Sequence, residues 1–292
     1  MKDVAELAGV SVPTVSRYIS ASARVSPSKG QAIAQAIKQL RFVPNAAARA
    51  LMGQAAKVVA VVAGDTSKFG YAEALRGIEE AARLDGYLIT ITVVDGSSPT
   101  ELDLLVSLAM SRQLAGVIVL KYDPAGAVAA ERIGPSVPLV TLLGVRSSTT
   151  SQATIREGAA ARAMVEHLLE LGHETVHHVR VPPVRKEDAR TSGWRRALAA
   201  ANRVVPPPID ISWDPHDGVR IGQEIASRDD VTAVFCGNDE SAMGVIAGLR
   251  SAGQRVPDDI SVAGFDDHPL SDLWDPPLTT ARQDFAELGR RG

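Results

Sequence analysis

At 292 residues, 45% of them hydrophobic, the chain is long enough for two or three compact units with sizeable cores, and no run approaches the ~18 apolar residues of a membrane span. A single cysteine, Cys236, excludes an internal disulfide framework and any Cys-x-x-Cys metal or redox motif. The net charge of −3 speaks against a nucleic-acid partner only until its distribution is read: residues 1–56 carry seven basic and two acidic side chains, a net of +5, and the rest carries −8, the footprint of a phosphate-binding head on a body that DNA repels.

Met1-Lys2-Asp3 leads into an amphipathic pattern instead of the apolar stretch of a secretory signal, which gives a cytoplasmic address. Asp3 is placed to cap a first helix, with Glu6 three residues on as in a capping box and Val4, Leu7 and Ala8 as the apolar face. Gly9 permits the left-handed turn that ends it. Ser11 is expected to cap a second helix, with Pro13 in the first turn, where a missing N–H costs nothing. Val15 and Ile19, four apart, should pack inward and leave Val12, Pro13, Ser16 and Arg17 outside. Two short helices joined by a glycine turn make a helix-turn-helix, whose second helix offers its N-terminal residues, here Val12, Pro13, Thr14, Ser16 and Arg17, to the major groove. Ser26-Pro27 starts a third helix, with Ile33, Ala36, Ile37 and Leu40 as an inward stripe.

After Pro44, Asn45 caps a seven-residue run, 46–52, that Gly53 terminates. So short a helix is marginal in water and needs a partner to form. Leu51, beside Arg49, suits a wedge between base steps in the minor groove. The competing reading is an interdomain linker whose leucine packs on the neighbouring domain.

From Lys57 the texture changes. Apolar runs at 58–63, 87–94, 116–120, 139–143, 175–181, 233–236 and 260–265 read as buried strands, and helical patterns fall at 72–84, 101–111, 159–171, 189–201, 218–226 and 241–252. This alternation predicts parallel sheets covered by helices, and a polar break at 146–152 divides them into two α/β lobes. Ligands of open α/β sheets bind beyond the C-terminal strand ends, so the cleft between lobes is the expected site. Cys236 falls within an apolar run and is expected to be a small buried residue.

Asp3 to Arg17, Val25-Ser26-Pro27 and Pro44-Asn45-Ala46-Ala47-Ala48-Arg49-Ala50-Leu51 closely resemble the LacI/GalR family of bacterial transcriptional regulators. Later motifs agree in order: Glu166-His167-Leu168-Leu169-Glu170-Leu171-Gly172-His173, Gly237-Asn238-Asp239, Val256-Pro257-Asp258-Asp259-Ile260-Ser261-Val262, Gly264-Phe265-Asp266-Asp267 and Pro276-Pro277-Leu278-Thr279-Thr280. The resemblance implies a helix-turn-helix domain (1–44), a hinge helix and linker (45–56) and a periplasmic-binding-protein-like core (57–292), with a first lobe of about 57–145 plus 282–292 and a second of about 146–281. It implies a homodimer on a palindromic operator, acting as a repressor, with a small-molecule effector, a sugar or sugar derivative, in the interlobe cleft. Neither a metal nor a cofactor is implied.

By the same resemblance Arg17 is at a base-reading position, where its fork fits guanine; a phosphate contact is the alternative. Val12 and Pro13 fill the other reading positions and can offer only apolar contact, for instance to thymine methyls. Leu51 matches the leucine that family members insert at the operator centre. Tyr71, Arg190, Trp213, Asn238 and Asp266 match effector contacts, with Phe285 as an apolar wall. A carboxylate, an amide and a guanidinium chelate vicinal hydroxyls, and an indole covers the apolar face of a sugar ring.

The sequence also departs from the family. Lys68-Phe69-Gly70-Tyr71 stands where Asn-Pro-Phe-Phe is frequent, Gly144 where an Asp usually follows the last strand of the first lobe, and Arg156-Glu157 where Asp-Asn is common. Loss of an acid and gain of Lys68 or Arg156 favour a more acidic or atypical ligand, provided those residues face the cleft. Family members usually continue beyond the equivalent of Gly292 with a helix and closing strands of the first lobe. A regulator answering to a protein co-regulator, or to no effector, is the nearer alternative reading, and an α/β enzyme the more distant one. Against the enzyme stand the missing Gly-x-x-x-x-Gly-Lys-[Ser/Thr], Gly-x-Gly-x-x-Gly and Gly-x-Ser-x-Gly patterns and the spacing of His173, His177 and His178, which completes no ligand set.

Overall fold

The computed structural model describes residues 1–20, 25–42, 57–94, 98–110, 114–134, 137–143, 150–183 and 187–292, so the expectations for Asn45, Arg49, Leu51 and Gly144 lie outside the described residues. The chain divides into two units, Met1–Lys57 and Val58–Gly292.

The first unit holds α1 (Lys2–Leu7), α2 (Val12–Ser20) and α3 (Pro27–Gln39). Val4, Val15 and Ile33 are fully buried at its centre, with Ala5 and Ala36 beside them and Ile19, Ile37 and Phe42 packed around. Gly9, at φ 64°, makes the turn between α1 and α2 as expected. Local expectations need correction at Asp3, Leu7 and Leu40. Met1, not Asp3, is the N-cap of α1, and no side chain caps it; Asp3 instead lies inside the first turn, where its charge still faces the positive helix end. Ser26 is the N-cap of α3 and Pro27 its first residue, as expected, although the serine side chain makes no capping bond. Leu7 and Leu40, read as inward, are exposed, because one is the last residue of α1 and the other the C-cap of α3, past the shared core.

Among the described residues the second unit contains two five-stranded sheets, every pair in them parallel. The first has the order β2-β1-β3-β4-β5, from β1 (Val58–Ala63), β2 (Leu88–Val93), β3 (Gly116–Leu120), β4 (Leu139–Leu142) and β5 (Ser151–Ala153). The second has the order β10-β9-β8-β6-β7, from β6 (His177–Arg180), β7 (Ile209–Asp210), β8 (Ala233–Cys236), β9 (Ser261–Asp266) and β10 (Thr279–Arg282). Every residue of β8 is buried, which is why that strand reads as an unbroken apolar run. Helices α4 (Phe69–Leu84), α5 (Pro99–Met110) and α6 (Pro124–Ile133) accompany the first sheet; α7 (Glu157–Glu170), α8 (Ala189–Ala200), α9 (Pro215–Ile225) and α10 (Asp239–Ser251) accompany the second. A last helix, α11 (Phe285–Arg291), follows β10.

The sequence reading missed β5, β7 and β10, which are short or polar, and also α6 and α11. Because β5 pairs with β4 up to Ala153, the first lobe extends beyond the expected boundary at 145. The polar stretch taken for a lobe boundary leads into an edge strand. Helix α4 starts at Phe69, three residues before the expected 72, and so takes Phe69, Gly70 and Tyr71 into its first turn.

After β10 the chain returns to the first lobe. Phe285 and Leu288 of α11 join the cluster of Tyr71, Leu75 and Ile78, and Arg290 reaches Glu80 at 3.0 Å. The approach of α11 to α4 is set by glycines: a Cβ at Gly77 would overlap the Ala286 carbonyl, and one at Gly289 the Ala74 carbonyl. A backbone oxygen cannot swing aside, so Gly77→Val is expected to lower the urea unfolding free energy by about 2–3 kcal/mol. An unchanged midpoint would show that the two helices are not in tight contact.

Candidate functional site

Beyond the C-terminal ends of strands from both sheets lies a cavity of about 620 Å³. Its lining includes Lys121 after β3, Leu143 after β4, Thr154 after β5, Val181 after β6, Asn238 after β8 and Asp266 at the end of β9, the strand ends where parallel sheets present ligand groups. All six residues expected at an effector site, Tyr71, Arg190, Trp213, Asn238, Asp266 and Phe285, line it.

Arg190, near the start of α8, is the hub. Its side chain is only 13% exposed and donates to Glu157 Oε1 from Nε at 3.0 Å and from Nη2 at 2.9 Å; Asp266 Oδ1 is 3.5 Å away. It also donates to the Gly237 carbonyl and lies 4.6 Å over the Phe265 ring. Burial works against its charge, but the carboxylates of Asp266 and Glu157 hold its pKa above the ordinary value. Asp266 is poised differently. Burial pushes its carboxyl up to about 7, although Arg190 and a 2.6 Å hydrogen bond from Gln283 Nε2 pull the other way. Its backbone adopts φ 116°, followed by φ 60° at Asp267, a region that favours glycine and that persists only where surrounding contacts enforce it.

The remaining expected residues are oriented by their neighbours. Asn238 is the N-cap of α10: its Oδ1 accepts from the Ser241 N–H at 3.1 Å and its Nδ2 donates to Glu240 at 2.7 Å. Tyr71 spends its hydroxyl on Asp123, the residue that caps α6 by accepting from the Gly126 N–H at 2.8 Å, so it offers the cavity its ring. Phe285 packs against Gly70, where a Cβ would lie 3.0 Å from its ring, and meets Phe69 edge-on at 6.1 Å. Trp213 is covered by Lys68, whose Nζ is 4.6 Å from the ring centroid and 3.4 Å from Asp65. Lys68 and Arg156 both line the cavity, which meets the condition attached to them in the sequence.

Sequence reasoning missed Lys121, Tyr122, Arg196 and Glu240 in the lining. Lys121 and Tyr122 immediately follow a predicted strand, and the strand-end rule alone could have flagged them. The histidines sit elsewhere. His178 stacks on Phe235 at 4.9 Å and bonds to its carbonyl and to Thr191, with burial pushing its pKa down to about 4, while His173 bonds to Thr232 and Ser261. Cys236 is buried, which pushes its thiol pKa up.

In the first unit Val12, Pro13 and Arg17 of α2 are exposed, whereas Thr14 and Ser16 are half-buried. The Thr14 hydroxyl lies 2.9 Å from that of Ser11, which ties it to the helix start.

Residues 1–45 match the family described as bacterial regulatory proteins, lacI family, and residues 165–292 match a periplasmic binding protein-like domain. Catabolite control protein A of Priestia megaterium is 31% identical over 98% of this chain and 88% of its own length. The chain belongs to the lacI family of bacterial regulatory proteins. Among solved structures, the lac repressor dimer bound to operator and the anti-inducer ONPF superposes with a TM-score of 0.88, at 27% identity, over 99% of this chain and 88% of that one. The complex of the transcriptional regulator CelR with cellobiose gives 0.72 at 28% identity, over 99% and 89%. The lacI-family architecture, a helix-turn-helix followed by two parallel-sheet α/β lobes, is thus shared along nearly the whole chain.

The raised pKa of Asp266 has a signed consequence. A carboxyl held above its ordinary value of 3.8 favours the folded state at low pH, and that contribution is lost as pH rises through about 7. Asp266→Asn keeps the acceptor for Gln283 and removes the titration. Its urea midpoint should therefore fall less than that of the parent between about pH 5 and about pH 8. Equal falls in the two proteins would place the titration elsewhere.

Proposed function

We propose that the chain is a homodimeric, sequence-specific DNA-binding regulator, acting as a repressor, whose operator affinity is set by a sugar or sugar derivative in the cavity. The observation that carries this reading is the presence in one lacI-family chain of a basic three-helix head and a ligand-sized cavity lined by Arg190, Asp266, Asn238 and Trp213. The solved relatives support it, one a dimer on operator with ONPF and another a complex with cellobiose. Self-association also has support in the second unit: Leu84, Leu88, Ile91 and Val93, on and beside the edge strand β2, are 80%, 72%, 44% and 44% exposed, an apolar edge that a second copy would cover.

In this reading the exposed face of α2 enters the major groove of an operator half-site. Arg17 reads a base, Val12 and Pro13 make apolar contacts, and Thr14 and Ser16 support them. Asn45, Arg49 and Leu51 belong to a hinge that folds on DNA, with Leu51 as the minor-groove wedge. Control is a population shift: the ligand biases one arrangement of the two lobes over another, and DNA affinity follows. The protein acts in the cytoplasm and has no catalytic role, in keeping with relatives that are transcriptional regulators. Among the described residues no helix is long and apolar enough to cross a membrane. A protein co-regulator in place of the ligand has less support, since the cavity is of small-molecule size.

Selection of duplexes from a random library, followed by binding titrations, tests the reading. The parent should enrich a palindrome, and Arg17→Ala should lose ~1–3 kcal/mol on it while tolerating other bases at one position per half-site. Equal weakening on every duplex would reduce Arg17 to a phosphate contact. Failure to enrich any palindrome would overturn the reading itself.

A further inference from the structure

The cavity's charges are unevenly committed. Among the described residues, each of its five acidic side chains already has a partner. Glu157 and Asp266 face Arg190, Asp188 caps α8 by accepting from the Thr191 N–H at 2.7 Å, and Glu240 accepts from Asn238. Glu187 accepts from the Ser192 hydroxyl at 2.8 Å and lies 3.5 Å from Arg195. Of the five cations, Arg190 and Lys68 are likewise held. Lys121, Arg156 and Arg196 are not: among the described residues, none of these side chains has an ion pair or a hydrogen bond.

These three come from separate elements, so they are not one solvated charge run. Lys121 follows β3, Arg156 is the N-cap of α7, and Arg196 lies on α8, on the face that also brings Ala189 and Ser192 to the cavity. A second feature points to the same occupant. Tyr122 lines the cavity, and its hydroxyl is buried with no hydrogen-bond partner. Burial and the nearby Glu157 and Asp266 carboxylates keep that hydroxyl protonated, so it is a donor. A buried polar group left without a partner is costly unless something completes it. The indole of Trp213 and the ring of Phe285 supply flat apolar walls at the same site.

We infer that the ligand is an anion, a compact hydroxylated ring carrying a carboxylate or a phosphate, with Lys121, Arg156 and Arg196 receiving the anionic oxygens and the Tyr122 hydroxyl donating to a ligand oxygen. This rests on the reading of the cavity as a sugar-derivative site and narrows it to one charge class. Charge-assisted hydrogen bonds are the stronger kind, and three of the five acids, Glu157, Asp266 and Glu187, face cations that offset their repulsion of an incoming anion. A neutral sugar would leave the three cations to water.

The test is a thermal-shift and calorimetric panel on the full chain, in which glucose, galactose and ribose are each paired with their uronic acid, whose oxidised terminal carbon leaves the ring intact, and their terminal phosphate ester, with inorganic phosphate alone as a control. At least one anion should bind with its neutral parent at least about tenfold weaker, and the carboxylate and phosphate arms then identify the anionic group. Lys121→Gln and Arg196→Gln, which break no ion pair or side-chain hydrogen bond among the described residues, should each weaken that anion roughly tenfold or more. Neutral parents binding as tightly as the anions would overturn the inference and leave the sugar-effector reading standing. Anion binding unaffected by substitution of Lys121, Arg156 and Arg196 would overturn their assignment. Inorganic phosphate alone reproducing the effect would overturn the hydroxylated ligand. No binding by any member, in a protein that still binds its operator, would remove the inference and the sugar reading together.

Discussion

The core of this protein is organised around a buried guanidinium. Arg190 ties the start of α7, through Glu157, to the ends of β8 and β9, through Gly237 and Asp266, and rests on the ring of Phe265. Taking such charges out of water costs several kcal/mol per ion, and their mutual attraction recovers that only with good geometry, so the cluster is poor evidence of stability. It does impose position. Four separate chain segments must meet at one point for the charges to be satisfied, and that point is the wall of the cavity. Two unusual residues stand beside it: Asp266 is held at φ 116° and Asp267 at φ 60°, and burial pushes the Asp266 carboxyl up to about 7 against the pull of Arg190.

The cavity also sits where the chain passes between the two sheets. One passage runs from β5 into α7 and contributes Thr154, Ile155, Arg156 and Glu157; the other runs from β10 into α11 and ends at Phe285. A ligand there contacts groups from both lobes and from the segments joining them. It is therefore placed to favour one lobe arrangement over another, and the size of that bias is its difference in affinity for the two. The glycine contacts of α11 with α4 make the second passage a fixed anchor on the first lobe rather than a loose strap.

Much of this was legible in the sequence, for identifiable reasons. The interior strands announce themselves because parallel strands covered on both faces must be apolar throughout, as β8 and β1 are. The edge strands escaped notice: β5, β7 and β10 are two to four residues long, and β5 and β10 are rich in Ser, Thr, Gln and Arg. Helix α11 was missed because Phe285, Leu288 and Gly289 acquire an apolar partner only when α4 is brought to them across more than two hundred residues. At the site, the six residues found came from motif resemblance, not from periodicity. Lys121, Tyr122 and Arg196 belong to no motif: the first two were open only to the strand-end rule, and Arg196 is identified only by the cavity that α8 brings it to.

Under the proposed function the Arg190-centred cavity and the DNA-binding head are thermodynamically coupled. The most direct measurement takes the cavity ligand giving the largest thermal shift and determines operator affinity with and without it, then ligand affinity with and without operator. Linkage requires the same factor in both directions. A shared factor of roughly 5–150 is expected, abolished in Trp213→Ala, which removes a cavity wall and leaves the Arg190 ion cluster intact, while operator binding by the unliganded variant persists. A ligand that fills the cavity and leaves operator affinity unchanged would contradict it.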